Sequence, residues 1–328
     1  MNNEPGSLTL DIIIPIYNEA DVLHLLFAAL DSAFSPENCG PRRLSRVRYV
    51  LVDDGSADES AKIVSERIRL GAPALLIRLS RNFGHANAIT AGLDHANADL
   101  IALLDADLQD PPAVVLDMVD RVRDGYDIVF GQRSKRKENV LKRLGYWTFY
   151  RVIKALSEVA IPVDSGDFCL MTRRVVAAIR DLPERLRYPR VLRAWVGFRQ
   201  TGVEYERPRR RAGTTKYTMG RLYRLATDGV ASASIRPLKV AQFSSFLFGG
   251  LATVLAVVFI LVLAGWFEVA VSYPILLVSL LIASSNALIT LVMYVTCAYL
   301  GRMYLEVKGR PPYIVMERIG NHDAEGGH

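Results

Sequence analysis

The chain is 328 residues long, 51% of them hydrophobic, with a formal net charge of +6 at neutral pH. This length accommodates an α/β domain of roughly 230 residues with an appendage, and the positive charge favours an anionic partner. The spacing of the cysteines excludes a disulfide-stabilised secreted domain and a cysteine-based metal site, since only three are present and they are scattered (Cys39, Cys169 and Cys297). The polar first residues run directly into an apolar stretch and predict no signal peptide.

The region before residue 180 predicts alternating strands and helices. Apolar, β-branched runs predict strands at 8–16, 49–52, 75–79, 100–104, 127–131 and 169–171. Helical spacing of apolar residues predicts helices at 20–32, 86–96, 113–123 and 145–157. Ser56 and Glu59 predict a capping box for a further helix, and 34–48 is interpreted as a surface loop. This alternation predicts an α/β fold with a mostly parallel sheet.

Polar side chains follow four of the predicted strands, at the point where each strand ends. They are Tyr17 with Glu19, Asp53 with Asp54, Asp105 with Asp107, and Arg133. Open α/β sheets bind ligands outside the carboxyl ends of their strands. The sequence therefore predicts a nucleotide pocket at this edge of the sheet.

The stretch 103–112 ends an apolar strand with Asp105, Asp107 and Gln109, followed by two prolines. In an extended backbone, residues two apart point to the same face, so these three side chains can converge. Three oxygen donors suit Mg²⁺ or Mn²⁺ better than zinc. A solvated acidic turn is the alternative, and Asp-x-Asp alone does not separate the two. The polar groups at the other strand ends favour the metal site.

Two further residues of this region have open interpretations. His85 is interpreted as a loop or cap residue, because no second histidine or cysteine is paired with it. Asp167 lies in a predicted tight turn, 162–168, where it either stabilises the turn or belongs to a site.

The loop 206–217 combines several arginines with a glycine, two threonines and a lysine. Guanidinium groups, backbone donors and an ammonium group together make a phosphate clamp, in which Arg210 and Lys216 are the candidate ligands. A plain run of charge would instead be a solvated or nucleic-acid-binding surface. The apolar segments that follow favour the phosphate site.

The last third of the chain predicts attachment to a membrane. Residues 219–243 have an amphipathic pattern typical of interfacial helices. Residues 240–266 and 269–300 contain no charged residue, and each is long enough to cross about 30 Å of hydrocarbon. Basic residues flank both predicted spans, whereas the turn 265–273 contains no lysine or arginine, which predicts cytoplasmic flanks. The predicted organisation is a catalytic domain at 1–218, juxtamembrane helices at 219–239, a transmembrane hairpin at 240–301 and a cytoplasmic tail at 302–328.

With these residues in view, the chain resembles the polyprenyl-phosphate glycosyltransferases, inverting enzymes related to dolichol-phosphate mannose synthase, and in particular the bacterial bactoprenol glucosyltransferases. The resemblance covers essentially the whole length. It rests on the segments 15–19, 52–56, 81–84, 105–111, 166–168, 212–216, 299–304 and 310–314. Relatives often have a glutamate where this chain has Arg209, so its basic loop carries more positive charge. The implied fold is a GT-A (Rossmann-like) α/β glycosyltransferase domain followed by interfacial helices and two transmembrane helices.

The resemblance also implies roles for individual residues. Those matching Pro15, Tyr17, Glu19 and Asp53 hold the nucleotide, and Asp54 and Asp105 are further candidates for binding the nucleotide sugar. Those matching Asp105, Asp107 and Gln109 hold Mg²⁺ or Mn²⁺ on the diphosphate. Those matching Arg133, Arg210 and Lys216 face phosphates, and Asp107 and Asp167 join them as candidate catalytic residues.

The expected reaction is metal-dependent, inverting transfer of one sugar, glucose by resemblance, from a UDP-sugar to the phosphate of undecaprenol. The alternatives are transfer of another sugar, such as mannose from GDP-mannose or an amino sugar, and a non-catalytic scaffold that binds sugar nucleotides. A processive polysaccharide synthase is disfavoured because no Gln-x-x-Arg-Trp motif is present. A nucleic-acid partner is excluded by the missing binding motif and the predicted spans. The expected location is the inner membrane, multi-pass, with both termini cytoplasmic and with possible homo-oligomers formed through the transmembrane and juxtamembrane helices.

Overall fold

The computed structural model describes residues 7–133, 165–185, 187–206 and 272–320, together with single positions between 243 and 264. The described residues fall into two compact units. One contains the sheet, including 310–320, and the other contains the long apolar helix that ends before them. The predicted helix at 145–157, the basic loop from 207 onwards and the juxtamembrane segment 219–239 lie outside the described residues.

The six predicted strands are confirmed, with ends shifted by a few residues, and two more are present. The strands are β1 Leu8–Ile16, β2 Leu44–Asp53, β3 Ala74–Leu79, β4 Leu100–Leu103, β5 Ile128–Arg133, β6 Ser165–Thr172, β7 Gln200–Tyr205 and β8 Val315–Gly320. The helices are α1 Ala20–Ala33, α2 Pro36–Cys39, α3 Ser60–Arg69, α4 His85–His95, α5 Val114–Arg123, α6 Arg173–Arg180, α7 Pro189–Trp195 and α8 Ser272–Val307.

The strands form one eight-stranded sheet in the order β7-β5-β6-β4-β1-β2-β3-β8. The pairs β1–β2, β1–β4, β2–β3 and β5–β7 are parallel. The strand β6 runs antiparallel to both β4 and β5, and β8 runs antiparallel to β3. The sheet is therefore a mixed α/β sheet, with a parallel centre and antiparallel strands that the prediction of a mostly parallel sheet did not place.

The central strand β1 is buried on both faces. Ile12 and Ile14 belong to a core cluster with Leu26 and Phe27 of α1, whereas Ile13 belongs to the cluster on the opposite face. On that second face α4 approaches β1 closely, because a Cβ at Gly92 would lie 2.3 Å from Ile13 Cγ2. Burial of this kind stabilises the folded state by roughly 1.5–3 kcal/mol per large apolar side chain. It fixes the positions of the strands whose carboxyl ends carry the polar residues.

Three local predictions differ from the structure. The predicted turn 162–168 is wrong from Ser165 onwards, because Asp167 lies inside β6 (Ser165–Thr172). The predicted loop 34–48 contains α2, a 3₁₀ turn and the first residues of β2. Ser56 is not a helix cap, since its hydroxyl accepts a hydrogen bond from the backbone N–H of Asn18 at 3.0 Å and α3 begins only at Ser60.

The helix α8 is the described part of the predicted membrane region. Its segment Ser284–Val307 is long and apolar enough to cross a membrane, and it is the one such stretch among the described residues. It overlaps the predicted second span. The first predicted span, 240–266, is described only at single positions, so a pair of transmembrane helices stays a prediction.

After α8 the chain returns to the sheet. The strand β8 pairs with β3, and the backbone N–H of Ser80 donates to the carbonyl of Ile314 at 2.9 Å. The hydroxyl of Tyr313 donates to Asp94 Oδ2 at 2.8 Å. Part of the segment assigned from the sequence to a cytoplasmic tail is thus an edge strand of the sheet.

Candidate active site

The carboxyl ends of three neighbouring parallel strands place their following residues at one edge of the sheet. In the ladder, Ile16 of β1 lies opposite Asp53 of β2, and Ile13 lies opposite Leu103 of β4. The chain leaves each strand still bonded to its neighbour: Asp54 N–H donates to the carbonyl of Ile16, and Leu104 N–H to the carbonyl of Ile13. The polar residues after β1, β2 and β4 therefore share this edge.

The turn after β1 is attached to the turn after β2. Asn18 has a φ of 54°, a left-handed conformation that asparagine tolerates, and its Oδ1 accepts a hydrogen bond from Ala57 N–H at 2.8 Å. The backbone N–H of Glu19 donates to the hydroxyl of Ser60 at 2.9 Å. With the turn held in this way, Tyr17 is 42% exposed. An exposed ring on a rigid turn is available to pack against a flat ligand.

Asp53 and Asp54 are both buried but have different partners. One oxygen of Asp53 accepts from Ser56 N–H at 3.0 Å, and the other lies 3.7 Å from Arg78 Nε. Both oxygens of Asp54 accept backbone N–H groups, from Phe83 at 2.7 Å and Gly84 at 2.9 Å. Burial raises the pKa of Asp54, and these two hydrogen bonds offset part of that rise. Asp54 therefore connects two loops of the edge, and its predicted contact with the nucleotide sugar stays a prediction.

The same two loops require glycine at Gly55. Its φ is +71°, and a Cβ there would lie 2.6 Å from the carbonyl carbon of Arg81. The loop 81–84 is thus packed directly against 53–57. This contact, together with the bonds to Asp54, determines where α4 begins and hence where His85 lies.

The Asp-x-Asp segment leaves β4 as a turn rather than as extended backbone, so the assumed alternation of side chains is wrong here. Leu108 has a φ of 57°, and Asp107 Oδ1 accepts the backbone N–H of Gln109 at 3.1 Å. The side chain of Asp105 is 35% exposed. Burial and the charges of neighbouring carboxylates (Asp167, Asp110 and Asp107) raise the pKa of Asp105 to about 6, against the opposing charge of His85.

His85 lies between two carboxylates that come from different strands. Its Nε2 is 3.7 Å from Asp105 Oδ1 and 3.7 Å from Asp167 Oδ2. Desolvation alone would lower the pKa of His85, but the nearby carboxylates of Asp167 and Asp105 outweigh desolvation and raise it. The interpretation of His85 as a loop or cap residue therefore missed its position in the site. The signal in the sequence is weak, because the histidine lies 20 and 82 residues from the two carboxylates.

Asp167 has cationic neighbours that sequence reasoning did not identify. Arg190 Nε of α7 is 3.5 Å from Asp167 Oδ1, and Arg193 of the same helix donates to the carbonyl of Gly166 at 3.3 Å. Burial would raise the pKa of Asp167, but the neighbouring His85 and the charge of Arg190 outweigh it and hold that pKa well below its usual range. The structure thus places Asp167 next to His85 and Arg190, and its role in the site stays a prediction.

Residues 11–180 match the profile of the family "Glycosyl transferase family 2". The chain belongs to this family. This glycosyltransferase is 37% identical over 312 residues to an uncharacterized glycosyltransferase of Bacillus subtilis, with 94% of each chain covered. It is 33% identical over 316 residues to a prophage-derived bactoprenol glucosyl transferase of Shigella flexneri, covering 94% of this chain and 97% of that protein. The resemblance drawn from the motifs is thereby confirmed. Among solved structures, that of Staphylococcus aureus TarS 1-349 in complex with UDP-GlcNAc aligns at 16% identity with a TM-score of 0.45, over 69% of this chain and 66% of that one.

The Asp-x-Asp segment is the candidate site for a divalent cation. Among the described residues there is no group of three or more His, Cys, Asp or Glu side chains that could hold a metal ion. Asp105 and Asp107 with the amide of Gln109 offer oxygen ligands only, and Asp105 lies among further carboxylates that raise its pKa. Excess negative charge of this kind is what a cation neutralises, and Mg²⁺ and Mn²⁺ accept few protein ligands because substrate phosphates and water complete their shell. These residues fit such an ion.

Three predicted phosphate ligands are less fully described. Arg133 ends β5, where its backbone lies opposite Tyr205 of β7, but its side chain is outside the described part of the chain. Arg210 and Lys216 lie wholly outside it. Pro15, which is predicted to bind the nucleotide, lies in β1 opposite Val52. The roles of Pro15 and of the three phosphate ligands stay predictions.

Proposed function

We propose that this glycosyltransferase transfers a single glucose from UDP-glucose to undecaprenyl phosphate, with inversion at the anomeric carbon and release of UDP. The observation that carries the proposal is the cluster of Asp105, Asp167 and His85 at the carboxyl edge of a family 2 sheet. The Shigella relative named bactoprenol glucosyl transferase, matched over 94% of the chain, supports the choice of lipid and sugar.

The donor half of the site would be formed by the turns after β1 and β2. The exposed ring of Tyr17 would pack on the base, and Asp53 would accept hydrogen bonds from the nucleotide. Both residues are held before the ligand arrives, by the bonds between the turns and by Ser56 N–H on Asp53. Such preorganisation lowers the entropy cost of binding.

Asp105, Asp107 and Gln109 would hold Mg²⁺ or Mn²⁺ beside the diphosphate. When bound, the cation supplies stabilisation of the negative charge that develops on the leaving diphosphate. Asp105 would contribute an ionised oxygen at neutral pH, since its pKa is about 6, and Asp107 would contribute further oxygen ligands.

The acceptor half would be formed by Asp167, with Arg133, Arg210 and Lys216 on the acceptor phosphate. A phosphate monoester has a second pKa near 6 and is largely ionised at neutral pH, so it needs no general base to become a nucleophile. Asp167 is a poor proton acceptor, because His85 and Arg190 lower its pKa. We assign Asp167 to positioning, with its charge holding Arg190 and His85 in place.

Attachment to the membrane would keep the site within reach of a lipid acceptor. The stretch Ser284–Val307 can cross a membrane by length and composition. We propose a second span at 240–266, a multi-pass inner-membrane protein with both termini cytoplasmic, and self-association through these segments.

The test is transfer by the full-length protein in detergent. Labelled UDP-glucose, UDP-N-acetylglucosamine and GDP-mannose are each supplied with undecaprenyl phosphate and Mg²⁺ or Mn²⁺, and lipid-extractable label is measured. We expect lipid-extractable label from UDP-glucose, no label after chelation, and no label with Asp107→Ala. This variant should stay folded, because Asp107 lies in a turn after β4 and not in the core.

Three results would each change the proposal. Label from GDP-mannose alone would replace the donor, and full activity after chelation would remove the cation from the Asp-x-Asp segment. Binding of a sugar nucleotide without transfer to any lipid would favour the non-catalytic scaffold.

A further inference from the structure

Three charged residues form a row across three neighbouring strands at the edge of the sheet. Asp53 of β2 lies directly opposite Arg78 of β3 in the parallel ladder, and Arg78 lies directly opposite Glu317 of β8 in the antiparallel ladder. Arg78 Nη1 is 2.7 Å from Glu317 Oε2, and Arg78 Nε is 3.7 Å from Asp53 Oδ2. The signs alternate as minus, plus, minus, starting from the residue assigned to the nucleotide.

The guanidinium of Arg78 is shared unequally between the two carboxylates. The contact with Glu317 is a short charge-assisted hydrogen bond. The contact with Asp53 is too long for a hydrogen bond, and among the described residues the buried Nε–H of Arg78 has no hydrogen-bond partner. A shift of less than 1 Å would satisfy it on Asp53. The pull of Glu317 on the other end of the guanidinium therefore determines how close the positive charge comes to Asp53.

We propose that Glu317, on the strand that follows the candidate membrane helix, is a positioning residue for the nucleotide subsite. It holds Arg78 at a distance that leaves Asp53 Oδ2 available to the nucleotide while keeping a positive charge beside that carboxylate. The inference rests on the proposed function, in which Asp53 binds the nucleotide. It gives the C-terminal strand a part in donor binding that none of the sequence motifs indicates.

The strand β8 has attachments that do not involve Glu317. Its backbone pairs with β3 from Leu75 to Leu79, and Ser80 N–H donates to the carbonyl of Ile314. Tyr313, just before the strand, donates to Asp94. Glu317 itself is 45% exposed, and an ion pair so exposed adds little to stability. Loss of its charge should consequently alter the position of Arg78 more than the pairing of the strand.

The test compares Glu317→Gln with Arg318→Gln in the full-length protein. Residues 317 and 318 are neighbours on β8 with side chains on opposite faces of the sheet, so the second variant controls for loss of a charge on the same strand. For Glu317→Gln we expect the KM for UDP-glucose to rise about three- to tenfold, with kcat and the KM for undecaprenyl phosphate within about twofold of the parent. Arg318→Gln should leave all three within about twofold.

A charge exchange separates positioning from strand stability. Glu317→Arg should lower Tm, because it faces Arg78 with a like charge, and adding Arg78→Glu should recover part of that loss by restoring the ion pair, although the new carboxylate also faces Asp53. The KM for UDP-glucose should stay raised in the double variant, because a carboxylate then lies beside Asp53. Recovery of both Tm and KM would overturn the inference, as would an unfolded Glu317→Gln protein or one with an unchanged KM.

Asp53→Asn distinguishes this inference from the proposed function. A raised KM for UDP-glucose in Asp53→Asn, together with an unchanged KM in Glu317→Gln, would overturn only the role of Glu317. An unchanged KM in Asp53→Asn would remove Asp53 from the nucleotide subsite and, with it, the basis of both.

Discussion

Asp53 and Asp54 are adjacent aspartates that should respond differently to the same substitution. Asp54 uses both oxygens on the backbone N–H groups of Phe83 and Gly84. Asparagine has one carbonyl oxygen, so Asp54→Asn leaves one of these buried N–H groups facing an amide NH₂. Asp53→Asn keeps an oxygen for Ser56 N–H and loses the charge that lies beside Arg78 and that we propose to face the nucleotide.

The size of the effect follows from the lost hydrogen bond. A hydrogen bond to a charged group contributes about 1.5–3 kcal/mol, and at this size of domain 1 kcal/mol corresponds to about 2–4 °C in Tm. We therefore expect Asp54→Asn to lower Tm by roughly 3–12 °C. Neutralising a buried carboxylate whose pKa is raised recovers part of that cost, so the lower half of the range is expected.

The assay is thermal unfolding of the full-length protein in detergent, paired with calorimetric titration of UDP. Asp54→Asn should unfold early and, below its transition, bind UDP within about threefold of the parent. Asp53→Asn should unfold within about 2 °C of the parent and bind UDP at least about tenfold more weakly. An Asp54→Asn protein with the parent Tm and lost UDP affinity would refute the assignment of Asp54 to the scaffold.

Three further predictions concern the metal, the topology and the acceptor. Because the pKa of Asp105 is raised to about 6, Asp105 takes up a proton as the pH falls, and the affinity for Mn²⁺ should drop about tenfold from about pH 7 to pH 5. Asp167, whose pKa is lowered, stays ionised over that range. An affinity for Mn²⁺ that does not depend on pH would contradict the metal assignment. In intact cells, a cysteine introduced into 265–273 on a cysteine-free background should react with an impermeant reagent, whereas one at Lys308 should not; labelling of both positions or of neither would be incompatible with the proposed hairpin. Loss of a charge-assisted phosphate contact costs about 1.5–3 kcal/mol, so Arg210→Ala should raise the KM for undecaprenyl phosphate roughly ten- to a hundredfold and change that for UDP-glucose much less; the reverse kinetic pattern would assign Arg210 to the donor diphosphate.

The local pattern of apolar residues was sufficient to predict the strands and helices of the parallel centre of the sheet. The strand at 8–16 is placed to the residue, because a strand buried on both faces is rich in apolar and β-branched residues and such a run is visible without knowledge of its neighbours. The edge of the sheet that carries both Asp53 and Asp105 was also predictable, since parallel strands bring their carboxyl ends to one side of the sheet. The family was predictable too, because its motifs lie at these strand ends.

Contacts between distant residues decided the remainder. The apolar pattern of β6 is the same whichever way the strand runs, and only its pairing with β4 and β5 places Asp167 beside His85. Arg190 and Glu317 carry no local mark of a site, because each reaches the edge through pairing or packing of a segment far along the chain.

The sequence by itself determined that carboxylates would lie at the carboxyl edge of a glycosyltransferase sheet, because hydrophobic periodicity and motif spacing are local properties of the chain. Only the tertiary structure decided which neighbours each carboxylate has. Asp53 and Asp54 are chemically identical neighbours, and the loop 81–84, arriving from the next strand, covers Asp54 with two N–H donors and leaves Asp53 beside Arg78. That distinction depends on where a second loop packs, and no property of residues 53 and 54 encodes it.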